Sequence, residues 1–358
     1  MANLAEELAR QGHLVSVISS ADSRDAIAAS QDTSPASILI NPKPLRLPYS
    51  TIRGWGTWYY LLGISRWIRK YQPDLVYVSM LKHDAYIAVK TCHKLKIPVV
   101  LRPEGAGLTG DMAWQQTHWL GKWFRKTART ADGFVALSER VKNEMTDAGY
   151  VAEKIAVIPN GIPIPERSWS LNTVKTNQVL FVGRLSPEKG IDTLIKAWPA
   201  VMKEYPDARL KLVGSGSWEK SLRELAHDLK IGDSIEFAGA CNDVSEQLYH
   251  SRLFVLPSRE EGLSIALLEA MATGIPAVAS DIPGNRTLIQ NDVTGRLFSV
   301  DQPESLAEKI KLSLRGDQIT IDMAKQGREQ IRNQFSIRAM AESHIPFFQS
   351  ISTDPDLS

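Results

Sequence analysis

The residues richest in chemical information lie between positions 180 and 270. Pro257-Ser258-Arg259-Glu260 leads from an apolar run into Glu261-Gly262-Leu263-Ser264-Ile265-Ala266-Leu267-Leu268-Glu269. Two carboxylates separated by seven residues span roughly 12 Å if the segment is helical. Carboxylates accept hydrogen bonds from diols. One of the pair could hold sugar hydroxyls while the other holds a ribose on the far side of a diphosphate. The backbone N–H groups of Leu263, Ser264 and Ile265 would open a helix, and the dipole there favours phosphate or sugar oxygens. The plainer alternative makes Glu261 a first-turn carboxylate that stabilises the helix and Glu269 an exposed helix residue.

Upstream, Phe181-Val182-Gly183-Arg184-Leu185-Ser186-Pro187-Glu188-Lys189-Gly190 reads as strand, loop and helix start. Arg184 and Lys189 project from a loop at the carboxyl end of a strand, and Gly183 and Gly190 permit close backbone approach. Such a pair of cations suits a diphosphate, with arginine binding bidentately and lysine acting as a point charge. Alone, the pair reads equally as two solvated surface cations. The Walker pattern Gly-x-x-x-x-Gly-Lys-Ser/Thr is absent. Val213-Gly214-Ser215-Gly216 is a side-chain-free turn, either beside a ligand or simply a turn. Cations and glutamates together, each after its own strand, favour a site over any of these separate readings.

Stepping outward from these residues, short apolar runs alternate with longer amphipathic stretches. Leu14–Ile18, Leu75–Val78, Pro98–Leu101, Phe134–Leu137 and Ile155–Ile158 read as buried strands in the first half. Val179–Val182, Leu210–Val213, Ile235–Ala238, Leu253–Leu256, Ala277–Ala279 and Arg296–Phe298 do so in the second. They lack clean alternation, as expected for parallel strands covered on both faces. Helical patterns cover Ile191–Glu204, Glu219–Leu229, Val244–Tyr249, Ser264–Ala272 and Pro303–Leu314. Repeated strand–helix–strand units predict an α/β fold with two Rossmann-like, doubly wound domains facing each other across a cleft. The turn-rich Pro159-Asn160-Gly161-Ile162-Pro163-Ile164-Pro165 and the polar stretch before residue 178 place the linker at about 159–177. The predicted domains are 1–165 and 170–338. The chain opens directly in an amphipathic helix, Asn3–Ala9. A doubly wound domain should begin with a strand and a glycine-rich turn, so either the domain truly starts with a helix or, as is expected here, both are missing through a truncated or misassigned start.

Composition narrows the class. The 358 residues are 43% hydrophobic and 23% charged, which excludes a disordered, collagen-like or coiled-coil chain. No run of roughly 18 apolar residues occurs, and the first twenty residues do not form a signal peptide. Cys92 and Cys241 make neither a disulfide framework nor a zinc site. A soluble cytoplasmic protein is the default. The net charge of +2 divides unevenly. Residues 1–170 hold 21 Lys and Arg against 15 Asp and Glu, a formal +6, and the remainder is −4. Six of the nine tryptophans lie between Trp55 and Trp123. Arg53 to Lys70 interleaves Trp55, Trp58, Tyr59, Tyr60 and Trp67 with Arg53, Arg66, Arg69 and Lys70. Trp114 to Arg129 does the same with Trp114, Trp119, Trp123, Phe124, Lys122, Arg125, Lys126 and Arg129. This pattern suits peripheral contact with an anionic membrane or a lipid-diphosphate acceptor. It also fits core-facing aromatics with a solvated basic side. No nucleic-acid motif accompanies it.

These motifs resemble family 4, the group 1 retaining glycosyltransferases of GT-B fold, over nearly the whole chain. The matching residues are Gly183 to Gly190, Gly214-x-Gly216, Glu261-x7-Glu269, Glu269-Ala270-Met271-Ala272-x-Gly274-x-Pro276, Ala131 to Ser138, Lys154-Ile155 and Val157 to Gly161. The resemblance implies an enzyme moving a sugar (hexosyl transfer, EC 2.4) from a nucleotide-diphosphate donor to a glycan or lipid-linked acceptor in cell-surface polysaccharide assembly. Arg184 and Lys189 would hold the leaving diphosphate, Glu261 the donor sugar and Glu269 the ribose. Gly183, Gly214, Gly216, Gly262, Leu263, Ser264 and Ile265 would line the donor site. The first domain would take the acceptor, and a last helix at about 339–350, within a 339–358 segment, would return to it. No Asp-x-Asp motif is visible, so neither a metal nor a cofactor is implied, and no covalent nucleophile is assigned. The family's glycine-rich loop after its first strand would precede Asn3. Where the family often has a histidine, the chain reads Arg102-Pro103-Glu104-Gly105-Ala106-Gly107-Leu108-Thr109-Gly110-Asp111. Glu104 and Asn160 are candidates for acceptor or sugar contact, with His83 and His118 as polar alternatives. Glu104 could instead be a loop carboxylate paired with Arg102. A sugar-nucleotide epimerase and an inactive sugar-nucleotide-binding remnant are the competing functions.

Overall fold

The computed structural model describes residues 2–21, 45–48, 55–104, 110–241 and 243–352. Arg53, Gly105–Thr109 and the segment after Ser352 lie outside the described residues, as do the side chains of Trp55, Trp58, Tyr59 and Tyr60. The chain divides into two compact units, one of residues 1–161 and 337–358, the other of 162–336. The division falls at Gly161/Ile162, so the predicted linker is mostly part of the second unit. Trp169, inside that stretch, is buried, and its indole N–H donates to the Ser251 carbonyl at 2.8 Å.

In the first unit, β3 (Val76–Ser79), β4 (Val99–Arg102), β5 (Gly133–Ala136) and β6 (Ile155–Val157) form a parallel sheet in sequence order. Alternate residues serve opposite faces, as strand geometry requires. Val99, Leu101, Phe134 and Ala136 join one core with Leu61, Ile64, Ile68 and Val89. Val100 and Val135 join the other with Leu4, Met340, Ala341 and Ile351. The helices Trp55–Tyr71, His83–Leu95 and Gly121–Ala128 lie on the first face. Helices Ala2–Arg10 and Ile337–Ser352 cover the second.

Among the described residues a separate parallel pair, β1 (Ile18–Ala21) with β2 (Leu45–Pro48), is not hydrogen-bonded to the four-stranded sheet. This corrects the predicted first strand at Leu14–Ile18. Leu14 is 83% exposed, and the ladder with β2 begins only at Ile18. The β2 strand was not predicted, because Pro44 precedes and Pro48 ends a four-residue run that reads as loop.

The second unit has one six-stranded parallel sheet. Its strands are β7 (Gln178–Val182), β8 (Arg209–Val213), β9 (Ile235–Gly239), β10 (Leu253–Leu256), β11 (Ala277–Ser280) and β12 (Arg296–Phe298). Their order is β12-β11-β10-β7-β8-β9. The chain builds outward from β7 to one edge, then returns to β10 and builds to the other. The point where the winding reverses lies between β7 and β10, and the loops leaving their carboxyl ends diverge there. Among the described residues no helix is long and apolar enough to cross a membrane.

Candidate functional site

The β7 and β10 loops carry the residues singled out in the sequence. After β7, Gly183 begins a turn that reaches Lys189. After β10, Pro257 to Ser264 runs to the helix Ile265–Thr273. Ser264 caps that helix, its Oγ accepting from the Leu267 N–H at 3.4 Å. Gly274, at φ +87°, ends it, and the left-handed geometry explains why glycine follows the helix. The helix thus starts at Ile265. Glu261 lies outside it in a loop, and the sequence estimate that assumed a helix through both carboxylates does not apply.

The loop turns Glu261 toward the cation across the switch point. Lys189 Nζ donates to Glu261 Oε1 at 2.7 Å, with side chains 22% and 10% exposed. Ser258 Oγ donates to the same oxygen at 2.7 Å. The structure therefore brings together one predicted cation and one predicted carboxylate from opposite sides of the winding reversal. Arg184 is exposed on the same loop and makes no ion pair among the described residues. Glu269 lies on the helix as an exposed residue whose carboxyl is partly shielded by its surroundings. Partial burial raises its pKa above the ordinary carboxylate value. No bond among the described residues joins it to the Lys189–Glu261 pair.

The glycines hold the backbones of these loops against one another. A Cβ on Gly214 would stand 1.9 Å from the Gly183 carbonyl oxygen, and one on Gly216 2.1 Å from that of Leu185. Leu185 N–H donates to the Ser215 carbonyl at 3.0 Å, so the turns after β7 and β8 are bonded along their backbones. Gly262 has open space around its Cβ position. Leu263 is half-buried and Ile265 exposed beside it.

Arg259 was quoted in the sequence only as part of a lead-in, yet it organises the cation loop. Its guanidinium bonds both Asp192 oxygens at 2.8 and 3.0 Å, pairs with Asp301 at 2.8 Å and donates to the Pro187 carbonyl. Its backbone N–H donates to the Glu188 carbonyl at 2.8 Å. Burial alone would raise the Asp192 pKa, but bonds from Arg259 and Lys196 outweigh it and hold the carboxyl low. Lys189 is the next residue after this clamp. No spacing rule in the sequence links Arg259 to Asp192 and Asp301, which arrive from distant helices and turns.

In the first unit, Arg102 closes β4. Its Nη2 donates to Asn160 Oδ1 at 2.6 Å, so Arg102 meets Asn160 where the sequence offered Glu104 as its partner. Glu104 is exposed, and its backbone N–H donates to the buried Asp111 carboxylate at 2.9 Å. Tyr77 hydroxyl lies 3.1 Å from His344 Nε2. Burial lowers the His344 pKa to about 4, assisted by the Arg102 charge. His83 and His118 belong to an aromatic cluster, with His83 edge-on to Phe124 at 4.9 Å and His118 stacked on Trp114 at 4.5 Å. Burial also lowers the His83 pKa.

Two α/β units with parallel sheets, the second doubly wound with its charged loops at the switch point, match a GT-B architecture. Solved structures agree. A glycosyltransferase from Rickettsia africae matches with a TM-score of 0.76 at 19% identity, covering 99% of this chain and 94% of that one. Anabaena HepE in complex with UDP matches with a TM-score of 0.74 at 20% identity, covering 98% and 95%. The description "Glycosyl transferases group 1" matches residues 164–330 and "Glycosyltransferase Family 4" matches 1–165. The chain belongs to the family 4, group 1 glycosyltransferases. An uncharacterized glycosyltransferase of Haemophilus influenzae is 29% identical over 332 residues, 91% of this chain and 88% of that protein. An Escherichia coli UDP-Gal:alpha-D-GlcNAc-diphosphoundecaprenol alpha-1,3-galactosyltransferase is 31% identical over 198 residues, about half of each chain.

Proposed function

We propose that the chain transfers a hexosyl group, with retention of configuration, from a nucleotide-diphosphate sugar to a glycan or lipid-linked acceptor. The proposed setting is cytoplasmic assembly of a cell-surface polysaccharide. The observation carrying this reading is the Lys189–Glu261 contact at the switch point of the second sheet, with Arg184 exposed on the same loop. In this reading the bond from the anomeric carbon to the phosphate oxygen breaks with its electron pair on oxygen. Negative charge grows on the leaving diphosphate, and Arg184 and Lys189 stabilise it, the largest catalytic contribution expected here. The acceptor oxygen bonds to the anomeric carbon on the face the diphosphate leaves, and its proton passes to the departing phosphate oxygen. Glu261 accepts from donor-sugar hydroxyls and Glu269 from the ribose. In the same reading Glu104 and Asn160 contact the acceptor or the sugar. The polyprenol-linked acceptor in the Escherichia coli relative's name, and the UDP in the HepE complex, support these substrate classes.

A thermal-shift series with UDP-, GDP- and ADP-sugars tests the donor, since a ligand that binds only the folded state raises the melting temperature. One series should shift the transition. No shift with any nucleotide sugar would sink the reading. Transfer should be lost in Lys189→Ala and Glu261→Ala with the fold retained, and full activity in both would remove the assigned roles.

A further inference from the structure

We propose that the helical face of the first unit made by Trp55–Tyr71, His83–Leu95 and Gly121–Ala128 is a docking surface for an anionic phospholipid bilayer. It goes beyond the sugar-transfer reading and does not depend on it. The three helices lie side by side, with His83–Leu95 in the middle. Together they carry eight lysines and arginines and one acid, Asp84. Among the described residues none of those eight cations forms an ion pair. Cations left without internal partners on one face carry a field that only an external anion can neutralise.

Apolar anchors sit within that field. Trp119 is 84% exposed and Trp123 50%. Trp123 rests one face on Tyr86, with ring centroids 4.2 Å apart, over the buried Phe124. The indole is therefore held outward at little entropic cost. Lys122, Lys126 and Arg129 are exposed around it. At the outer helix, Leu62 and Tyr71 are 48% and 50% exposed beside Arg66, Arg69 and Lys70. Exposed indoles ringed by lysine and arginine match the boundary of a bilayer. Aromatic rings settle among the headgroups there, and cations meet phosphates. A soluble acidic partner would explain the charge but not the two solvent-facing tryptophans.

Co-sedimentation of the full chain with phosphatidylglycerol-containing vesicles, and with phosphatidylcholine vesicles, at low salt tests the surface without any substrate. Retention is expected on the anionic vesicles only, falling as salt rises. At about 1 kcal/mol per surface cation, K122A/K126A/R129A should bind on the order of a hundredfold more weakly. W119A/W123A should also bind more weakly and lose most quenching of tryptophan fluorescence by brominated lipid. K220A, an exposed site on the second unit, should bind as the wild type does. Circular dichroism should show all variants folded, because the altered side chains are exposed. Equal retention on both vesicle types, absence of retention, undiminished retention of the triple variant, or preference for a polynucleotide over vesicles would each overturn the proposal.

Discussion

Lys189→Ala should separate the two tasks placed on the Lys189–Glu261 pair. At 2.7 Å and an effective dielectric of about 20, the gross attraction is about 6 kcal/mol. Most of it is offset by desolvation and by water competing for side chains that are 22% and 10% exposed. Exposed pairs net about 0–1 kcal/mol, and breaking a fully buried pair costs about 3–5. This pair lies between, and Ser258 still donates to Glu261 after the lysine is gone. The loss of stability should be about 2 kcal/mol, or a melting shift of roughly 4–8 °C for a unit of this size. Catalysis should suffer more. Losing a cation aimed at the leaving group costs about 10²–10³ in kcat. The double variant K189M/E261Q removes both charges. Its stability should return to within about 1 kcal/mol of wild type while transfer stays lost. Calorimetry and release of nucleoside diphosphate read the two quantities. If the double variant is as unstable as the sum of its singles, the pair is not coupled. If Lys189→Ala keeps wild-type kcat, the lysine does not serve the leaving group.

Three further outcomes follow from the same geometry. Gly214→Ala places a methyl 1.9 Å from the Gly183 carbonyl oxygen at φ +138°, so strain and overpacking should lower the stability of the second unit by about 2–5 kcal/mol, measured by urea unfolding. Arg259→Lys keeps the charge but not the three nitrogens that reach Asp192, Asp301 and the Pro187 carbonyl together. It should reduce kcat about tenfold through a loosened Lys189 loop, and unchanged kcat would count against that clamp. The His344 pKa is lowered to about 4 from 6.5, so the unfolded chain binds the extra proton between those values. Stability from this residue is therefore complete above pH about 6.5 and lost as pH falls toward about 4, by at most about 3 kcal/mol. The difference between wild type and His344→Gln across that window isolates it, and a flat difference would refute it.

How much of this was legible depended on whether a residue's partners were local. Ile191–Glu204 and Pro303–Leu314 coincide with their predicted bounds, because one apolar stripe and clear punctuation define each. The strands of the second sheet were readable as apolar runs, because parallel strands buried on both faces look alike wherever they pair. Helix Gln318–Phe335 was not predicted. Its buried stripe is Thr320, Met323, Ala324, Gly327, Ile331 and Phe335, half of it small or polar. Gly327, a poor helix former, is needed there because a Cβ would stand 2.6 Å from the Thr294 carbonyl oxygen. Close packing selected a residue that hides the helix.

The same distinction divides the site. Residue type and strand-end position marked Arg184 and Lys189, and the seven-residue spacing after a strand marked Glu261 and Glu269. The contact between Lys189 and Glu261, residues 72 positions apart, depends on how two loops fold against each other. Gly190 shows the dependence. It adopts φ +62°, and a Cβ there would lie 2.1 Å from the Pro257 carbonyl oxygen. The glycine that reads in the sequence as room for a ligand is thus room for the neighbouring loop, and that close approach carries Lys189 to Glu261. Gly214 and Gly216 repeat the arrangement against Gly183 and Leu185. A glycine-rich phosphate loop is usually read as backbone yielding to substrate. In this site the glycines first let three strand-end loops pack to backbone contact, and the charged side chains are aimed as a result.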